Sequence, residues 1–153
     1  GESQRDFLTV GGMGHTASIS LGVAMGKPDK SVVCIDGDGS LLMHMGAMPI
    51  IGSLSPDNLT HVLLNNAAHE SVGGQPTVGD ITDFKAIALA SGYKNYQCAS
   101  TTEEIQQMWQ NLAGLAGPKM LEIRISTGSR SDLGRPTSTP QENKLAFMEW
   151  VAK

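Results

Sequence analysis

Short, continuous apolar runs alternate along the chain with longer stretches in which apolar residues follow helical spacing. Apolar runs bounded by turn residues predict buried parallel strands, and they lie at 31–35, 61–65, 93–99 and 120–125. Helices are predicted at 15–25, 41–51, 80–91, from 102 onward and from Pro140 onward. The alternation predicts an α/β fold, an open and mostly parallel sheet with helices on both faces.

Individual side chains are expected to begin or hold these helices. Ser40 is the predicted N-cap of the helix at 41–51, which Pro49 should bend or shorten, and Asp80 is the predicted cap of the next helix. The segment 66–79 is predicted to be irregular because of its glycines and proline. The last helix should be anchored by three apolar side chains, Leu145, Met148 and Val151.

Length and charge narrow the class of protein. The 153 residues suit one domain, 1–153, and no stretch approaches the roughly 20 apolar residues that a membrane span needs. Eleven basic against fifteen acidic residues give a net charge of −4 without a basic stripe, so nucleic acid is not an expected partner. Cys34 and Cys98 lie in strand-like runs and are expected to be buried free thiols, as in a cytoplasmic protein.

The middle of the chain is acidic and rich in glycine. No Lys or Arg occurs between Lys30 and Lys85, whereas six acidic residues do: Asp36, Asp38, Asp57, Glu70, Asp80 and Asp83. Glycine clusters mark sharp turns or places where the backbone approaches a ligand closely. In open parallel sheets, ligands bind beyond the carboxyl ends of the strands, where these glycines fall. This composition suits a metal ion better than a bare anion.

Two known motifs account for part of this pattern. Residues 12–17 fit G-x-G-x-x-A, with Asp36 ending the next strand, as in dinucleotide-binding folds. Residues 36–40, Asp-Gly-Asp-Gly-Ser, resemble the nucleophile motif of haloacid dehalogenase phosphatases, but the lysine that family needs is missing from 31–84. A calcium loop fails because Ala47 stands where a bidentate Glu is required.

A third pattern accounts for more residues. Gly37-Asp38-Gly39 is followed by twenty-five residues and then by Asn65-Asn66. Two neighbouring parallel strands can present a carboxylate and an amide oxygen at their carboxyl ends, and Mg²⁺ prefers such ligands. Glycines at 37 and 39 let the backbone come close to a diphosphate. This spacing resembles the thiamine-diphosphate signature.

Several separate segments strengthen the resemblance. The chain is similar to the C-terminal, diphosphate-binding domain of thiamine-diphosphate-dependent 2-oxoacid decarboxylases, most of all to the phosphonopyruvate type, with the sulfopyruvate type close. The segments that carry the likeness are 10–15, 35–45, 65–75 and 128–136. The last two look specific to the phosphonopyruvate type.

The resemblance implies cofactor and metal contacts. Mg²⁺ is expected on Asp38, the Asn66 side chain and the Ala68 carbonyl. Backbone N–H groups near Gly39 and Ser40 should hold the diphosphate of thiamine diphosphate, with Gly37 allowing close approach. The turn that receives the aminopyrimidine should comprise Gly11, Gly12, Met13 and Gly14, with the Gly11 carbonyl accepting from the cofactor and Met13 holding it bent.

The candidate proton-transfer residues have two possible roles. His15, His69 and Glu70 are candidate catalytic residues near the site, but each could instead form local hydrogen bonds that fix its loop. His44, expected in mid-helix, and His61, at a strand start, are expected to pack. Arg130 and Arg135 could clamp a phosphonate or only order their polar loop.

The resemblance also implies a partner. The cofactor of this family lies between two domains, and a pyrimidine-binding domain or alpha subunit should supply a glutamate that this chain lacks. We expect 1–153 to decarboxylate a small anionic 2-oxoacid, phosphonopyruvate to phosphonoacetaldehyde and CO₂, only together with that partner, and to self-associate. The alternatives are a sulfopyruvate decarboxylase beta subunit and a non-catalytic binding or assembly module.

Overall fold

Four parallel strands form the central sheet of the computed structural model, which describes residues 3–153. The strands lie in the order β1, β2, β6, β5, and all pairs are parallel. A short antiparallel pair, β3 and β4, lies outside this sheet. In chain order the elements are α1 Thr16–Gly26, β1 Val32–Gly37, α2 Asp38–Met43, α3 Ala47–Leu54, β2 Leu59–Asn65, β3 Ala68–His69, a 3₁₀ turn Glu70–Val72, β4 Gln75–Pro76, α4 Phe84–Ala90, β5 Asn95–Ala99, α5 Thr102–Leu112, β6 Lys119–Arg124 and α6 Pro140–Ala152.

Helices cover both faces of the sheet, as predicted. Successive strand residues point to opposite faces, and Met120 and Leu121 of β6 accordingly belong to different core clusters. Met120 packs with residues of α1, α3 and α4, whereas Leu121 packs with Leu112 of α5. The predicted fold class is therefore confirmed.

The helix predicted at 41–51 is wrong in its bounds. It is two helices, α2 and α3, separated by residues 44–46. Gly37 is the N-cap of α2, and Ser40 lies inside the helix and caps nothing. Pro49 lies in the first turn of α3, where a missing N–H costs no helical hydrogen bond.

Other local predictions also needed tertiary information. Asp83, not Asp80, caps α4, because its carboxylate accepts from the Ala86 N–H. The segment 66–79, predicted to be irregular, contains β3, a 3₁₀ turn and β4. Cys34 is buried as expected, but Cys98 on the edge strand β5 is exposed.

The final helix is held differently from the prediction. Leu145 and Met148 are 53% and 55% exposed, so they do not anchor α6, whereas the third predicted anchor, Val151, is half-buried. Buried Asn143 does so instead: its Oδ1 accepts from the Leu8 N–H at 2.9 Å and its Nδ2 donates to the Asp6 carbonyl at 2.9 Å. Within 3–153, no helix is long and apolar enough to cross a membrane.

A buried polar group lies between β1 and β2. His61 is fully buried, its Nδ1 lies 2.9 Å from the Tyr93 hydroxyl, and its Nε2 lies 3.7 Å from Asp36 Oδ2. Burial alone lowers the pKa of His61, but the neighbouring Asp36 carboxylate and the Cys34 sulfur outweigh it and hold the pKa well above its ordinary value. The raised pKa favours the imidazolium form of His61, the form that balances the charge of Asp36.

The first prediction concerns the anchor of α6. Asn143→Ala should lower the free energy of unfolding by about 1–3 kcal/mol, because it leaves the Leu8 N–H and the Asp6 carbonyl without their partner. Hydrogen exchange at the Leu8 amide should accelerate. Urea unfolding measures the first effect, with exposed Lys144→Ala as the control; equal stability of both variants would contradict this role.

The second prediction concerns pH. Because the pKa of His61 is higher in the folded than in the unfolded chain, its stabilisation is complete below the ordinary value of about 6.5. Stability should then fall as pH rises toward the folded pKa. Urea unfolding from pH 6 to 9 measures this slope, and His61→Gln should remove it; a wild-type slope that is flat or rising would contradict a protonated His61.

Candidate functional site

The carboxyl ends of β1 and β2 meet at one edge of the sheet. Their parallel register pairs Gly37 with Leu64, so the residues that follow, Asp38 and Asn65-Asn66, lie side by side. The Asn66 N–H donates to Asp38 Oδ1 at 3.4 Å. The structure therefore brings together the two halves of the motif, which are far apart in sequence.

The Asp38 carboxylate is enclosed by a loop that the sequence left unassigned. Asp38 is 1% exposed, and its Oδ2 accepts a hydrogen bond from the Thr77 hydroxyl. The Thr77 oxygen in turn accepts from the Gly79 N–H at 3.0 Å. A Cβ at Gly79 would lie 2.6 Å from Asp38 Oδ2, so only glycine fits without displacement.

These groups fit a hard divalent cation. Among the ion pairs of residues 3–153, none involves Asp38, so its buried carboxylate has no cationic side chain beside it. Asn66 Oδ1 accepts one hydrogen bond, from the Ala68 N–H at 3.1 Å, and an amide oxygen has a second lone pair. A carboxylate and an amide oxygen at one place are the ligands that Mg²⁺ prefers.

The glycine turn before α1 contacts the same region. Gly11 and Gly14 have positive φ angles of 75° and 89°, a backbone that side chains rarely adopt. The Gly14 N–H donates to Ser40 Oγ at 2.9 Å, which joins this turn to α2. Gly12 and Met13 lie half-buried within the turn. Ser40 thus contributes to the site through its side chain and not as a helix cap.

Three of the four histidines border the site. His15 is exposed, and its ring lies 4.4 Å from that of His44, which ends α2 and was wrongly expected in mid-helix. His69 covers Gly39, since a Cβ at Gly39 would lie 2.3 Å from its Nδ1. His61 is buried among Tyr93 and Asp36, in agreement with the packing role expected for it.

Glu70 connects two loops at the rim. Its Oε1 accepts from the Gly128 N–H at 2.6 Å, so the segment after Asn66 is tied to the loop that carries Arg130 and Arg135. Arg130 forms an exposed ion pair with Asp132, at 3.1 Å between Nε and Oδ1. This hydrogen bond fixes the loop that carries Glu70, which is one of the two interpretations left open by the sequence.

Sequence reasoning missed four residues around Asp38. Thr77 and Gly79 belong to the segment predicted to be irregular, and no signal in the sequence marks them. Asn65 was noticed only as part of the Asn65-Asn66 pair, although its side chain makes three hydrogen bonds. Glu122 lies in a strand, where a buried carboxylate could have been suspected from its apolar neighbours.

Comparison with protein families settles what kind of domain this is. The model of the thiamine pyrophosphate enzyme C-terminal TPP-binding domain matches residues 2–123. The chain belongs to this family. Membership in the TPP-binding domain family agrees with the cofactor predicted from the sequence, thiamine diphosphate, and it confirms the resemblance stated above.

Individual relatives are of two kinds. A phosphonopyruvate decarboxylase of Streptomyces viridochromogenes is 36% identical over 98% of this chain and 38% of its own length. A sulfopyruvate decarboxylase subunit beta of Methanococcus maripaludis is 36% identical over 99% of this chain and 80% of its own length. This TPP-binding domain thus spans less than half of the phosphonopyruvate decarboxylases that it matches.

Solved structures agree with the fold. A thiamine diphosphate-dependent 4-hydroxybenzoylformate decarboxylase of Rhodococcus jostii RHA1 superposes with a TM-score of 0.65 at 19% identity, covering 78% of this chain and 24% of that chain. A thiamin diphosphate-dependent enzyme from Mycobacterium smegmatis gives the same TM-score of 0.65 at 22% identity, over 77% of this chain and 23% of that chain. At these identities the likeness concerns the fold alone.

The third prediction tests the close approach of Gly79 to Asp38. Gly79→Ala should weaken Mg²⁺-dependent thiamine diphosphate binding by about tenfold or more, because the added methyl displaces the carboxylate and the Asn65 amide. Calorimetric titration measures the affinity for thiamine diphosphate in the presence of Mg²⁺. Gly22→Ala, at an exposed position of α1 where a methyl meets open space, is the control, and equal affinities of the two variants would show that the contact is unimportant.

Proposed function

We propose that this chain supplies the diphosphate- and Mg²⁺-binding half of the active site of a thiamine-diphosphate-dependent 2-oxoacid decarboxylase. The observation that supports it most is the buried Asp38 carboxylate, which lies beside Asn66 at the carboxyl ends of two parallel strands. A buried carboxylate without a cationic neighbour favours binding of a cation. Membership in the TPP-binding family specifies which ligand that cation would accompany.

In this proposal, each group at the sheet edge has one role. Asp38, the Asn66 amide and the Ala68 carbonyl hold Mg²⁺. Backbone N–H groups at Gly39 and Ser40 hold the diphosphate, with Gly37 keeping the approach open. The turn of Gly11, Gly12, Met13 and Gly14 receives the pyrimidine end. When bound, the cofactor supplies the electron sink that loss of CO₂ requires.

Three side chains are proposed to bind or move protons near the reacting group. His15 is exposed beside the pyrimidine turn, so it can exchange protons with a substrate. His69 lies over Gly39, where it can donate to a diphosphate oxygen. Glu70 orients the loop of Arg130 and Arg135 through the Gly128 N–H, and its second carboxylate oxygen can carry a proton while that bond is kept.

The proposed substrate is phosphonopyruvate, converted to phosphonoacetaldehyde and CO₂. Its support is that phosphonopyruvate decarboxylases match nearly the whole chain, at 36% and 34% identity. The second candidate is decarboxylation of sulfopyruvate as a beta subunit, which a different observation favours: this chain matches 80% of the length of one such subunit. Both substrates are small anionic 2-oxoacids.

We further propose that a pyrimidine-binding domain or alpha subunit covers the site. Large apolar side chains on α2 and α3 and between them are well exposed, and burying them would stabilise an interface. They are Met43, Met45, Ile50 and Leu54. Copies of this chain are also proposed to associate with one another as a homo-oligomer. Without the partner the chain is expected to be inactive.

The fourth prediction tests the proposed function directly. The chain, alone and mixed with its pyrimidine-binding partner, is given thiamine diphosphate, Mg²⁺ and either phosphonopyruvate or sulfopyruvate, and CO₂ release is measured. Only the mixture should be active, and Asp38→Asn should lower its activity by about 100-fold or more, because the amide removes the charge that holds the cation.

Asp57→Asn is the matched control, since it makes the same change at an exposed surface carboxylate. The preferred 2-oxoacid decides between the two substrates. A folded, assembled complex that decarboxylates neither acid would contradict the enzyme and favour a non-catalytic binding module. Unchanged cofactor binding in Asp38→Asn would contradict the assigned cation site.

A further inference from the structure

A buried carboxylate lies behind the cation site, on the strand next to β2. Glu122 of β6 is 2% exposed and accepts hydrogen bonds from three side chains. Asn65 Nδ2 donates to its Oε1 at 2.9 Å, Arg124 Nε donates to the same oxygen at 3.2 Å, and the Tyr96 hydroxyl donates to Oε2. Burial and the Glu122 charge raise the pKa of Tyr96, so that hydroxyl remains a donor.

The Asn65 carboxamide connects Glu122 to both segments that surround Asp38. Its Nδ2 also donates to the Gly79 carbonyl at 2.9 Å, and its Oδ1 accepts from the Ala67 N–H at 3.1 Å. Gly79 leads to the Thr77 hydroxyl that donates to Asp38. The Asn65 side chain therefore joins the two loop segments that enclose the Asp38 carboxylate.

The backbone conformation of Ala67 is unfavourable and requires stabilisation. Ala67 has a φ of +54°, in the left-handed region that residues with a side chain seldom adopt. It lies between Asn66 and Ala68, the residues proposed to bind Mg²⁺. The hydrogen bond from its N–H to Asn65 Oδ1 stabilises this unusual turn.

The Glu122 carboxylate strengthens the one orientation of the Asn65 amide that the Gly79 carbonyl and the Ala67 N–H also require. A carboxylate only accepts hydrogen bonds, so the NH₂ group of Asn65 must face it and the Oδ1 must face Ala67. The reversed amide would place Oδ1 against the Glu122 carboxylate and the Gly79 carbonyl, three acceptors without a donor. A charged acceptor makes this preference stronger than a neutral one would.

We propose that Glu122 is a positioning residue for the cation site: as the charged acceptor of Asn65 it holds this side chain in place, and Asn65 in turn holds the 66–68 turn and the Thr77–Gly79 segment around Asp38. The inference rests on the proposed function in so far as Asp38 and Asn66 bind Mg²⁺. Glu122 itself touches neither cation nor cofactor in this proposal.

The fifth prediction tests Glu122 with a substitution of the same shape. Glu122→Gln replaces a charged acceptor with a neutral amide that can also donate, so the hydrogen bond that holds the Asn65 Nδ2 becomes weaker. Mg²⁺ titration in the presence of thiamine diphosphate, measured by calorimetry on the chain assembled with its partner, should show an affinity about 10- to 100-fold weaker. Hydrogen exchange at the Ala67 amide, measured without cofactor, should become faster.

Tyr96→Phe is the matched control. It removes a different donor to the same carboxylate and leaves Glu122 as the acceptor for Asn65, so Mg²⁺ affinity should change by less than about threefold. Asn65→Asp provides a coupling test, because it sets a second carboxylate against Glu122. It should weaken Mg²⁺ binding less in the Glu122→Gln background than in the wild type.

Several results would overturn the positioning role. One is a Glu122→Gln protein whose Mg²⁺ affinity and Ala67 exchange both stay within about twofold of wild type; another is an equal loss in Tyr96→Phe. If Glu122→Gln fails to fold, Glu122→Asp, whose shorter side chain withdraws the carboxylate from Asn65 and leaves the Ala67 acceptor in place, must still accelerate Ala67 exchange. If the wild-type protein binds neither Mg²⁺ nor thiamine diphosphate, the proposed function is contradicted. The Glu122 proposal is still tested in that case, because hydrogen exchange at the Ala67 amide is measured without cofactor.

Discussion

A carboxylate withdrawn from water is unfavourable unless donors or a cation surround it, and Asp38 is almost completely buried. Parallel pairing of β1 with β2 places it there, because both strands end at the same edge. The Asn66 N–H and the Thr77 hydroxyl supply donors, but no side chain of residues 3–153 forms an ion pair with it. The surrounding loops are arranged around this one charge.

Two buried carboxylates on neighbouring positions of the chain are balanced in different ways. Asp36 points into the core, where His61 lies 3.7 Å away and has a raised pKa that favours its imidazolium form. Asp38 lies beyond the strand end, where ligands of parallel sheets bind. The first charge is thus balanced within the fold, and the second is left available to a bound cation. The end of β1 creates this difference, because Asp36 lies within the strand whereas Asp38 begins α2.

A buried hydrogen-bond network behind Asp38 connects the segments at the carboxyl ends of the strands. Glu122 and Asn65 connect β6, β2 and the loop at Gly79 by side-chain hydrogen bonds. A cation site made from loops binds well only if its ligands are held in place before binding, because ordering them afterwards costs entropy. The strands thus bring the proposed cation ligands to one edge of the sheet, and the buried polar side chains hold those ligands in place.

The sequence by itself determined the alternation of strands and helices and the parallel α/β class, since apolar runs are local patterns. It also indicated the pairing of Asp38 with Asn66, because their spacing matches a known motif. Only the tertiary structure decided the break after α2, the exposure of Leu145 and the roles of Thr77, Gly79 and Glu122. These depend on which segments meet in space. A local pattern records burial and periodicity, but it does not record the partner of a polar side chain that lies far away along the chain.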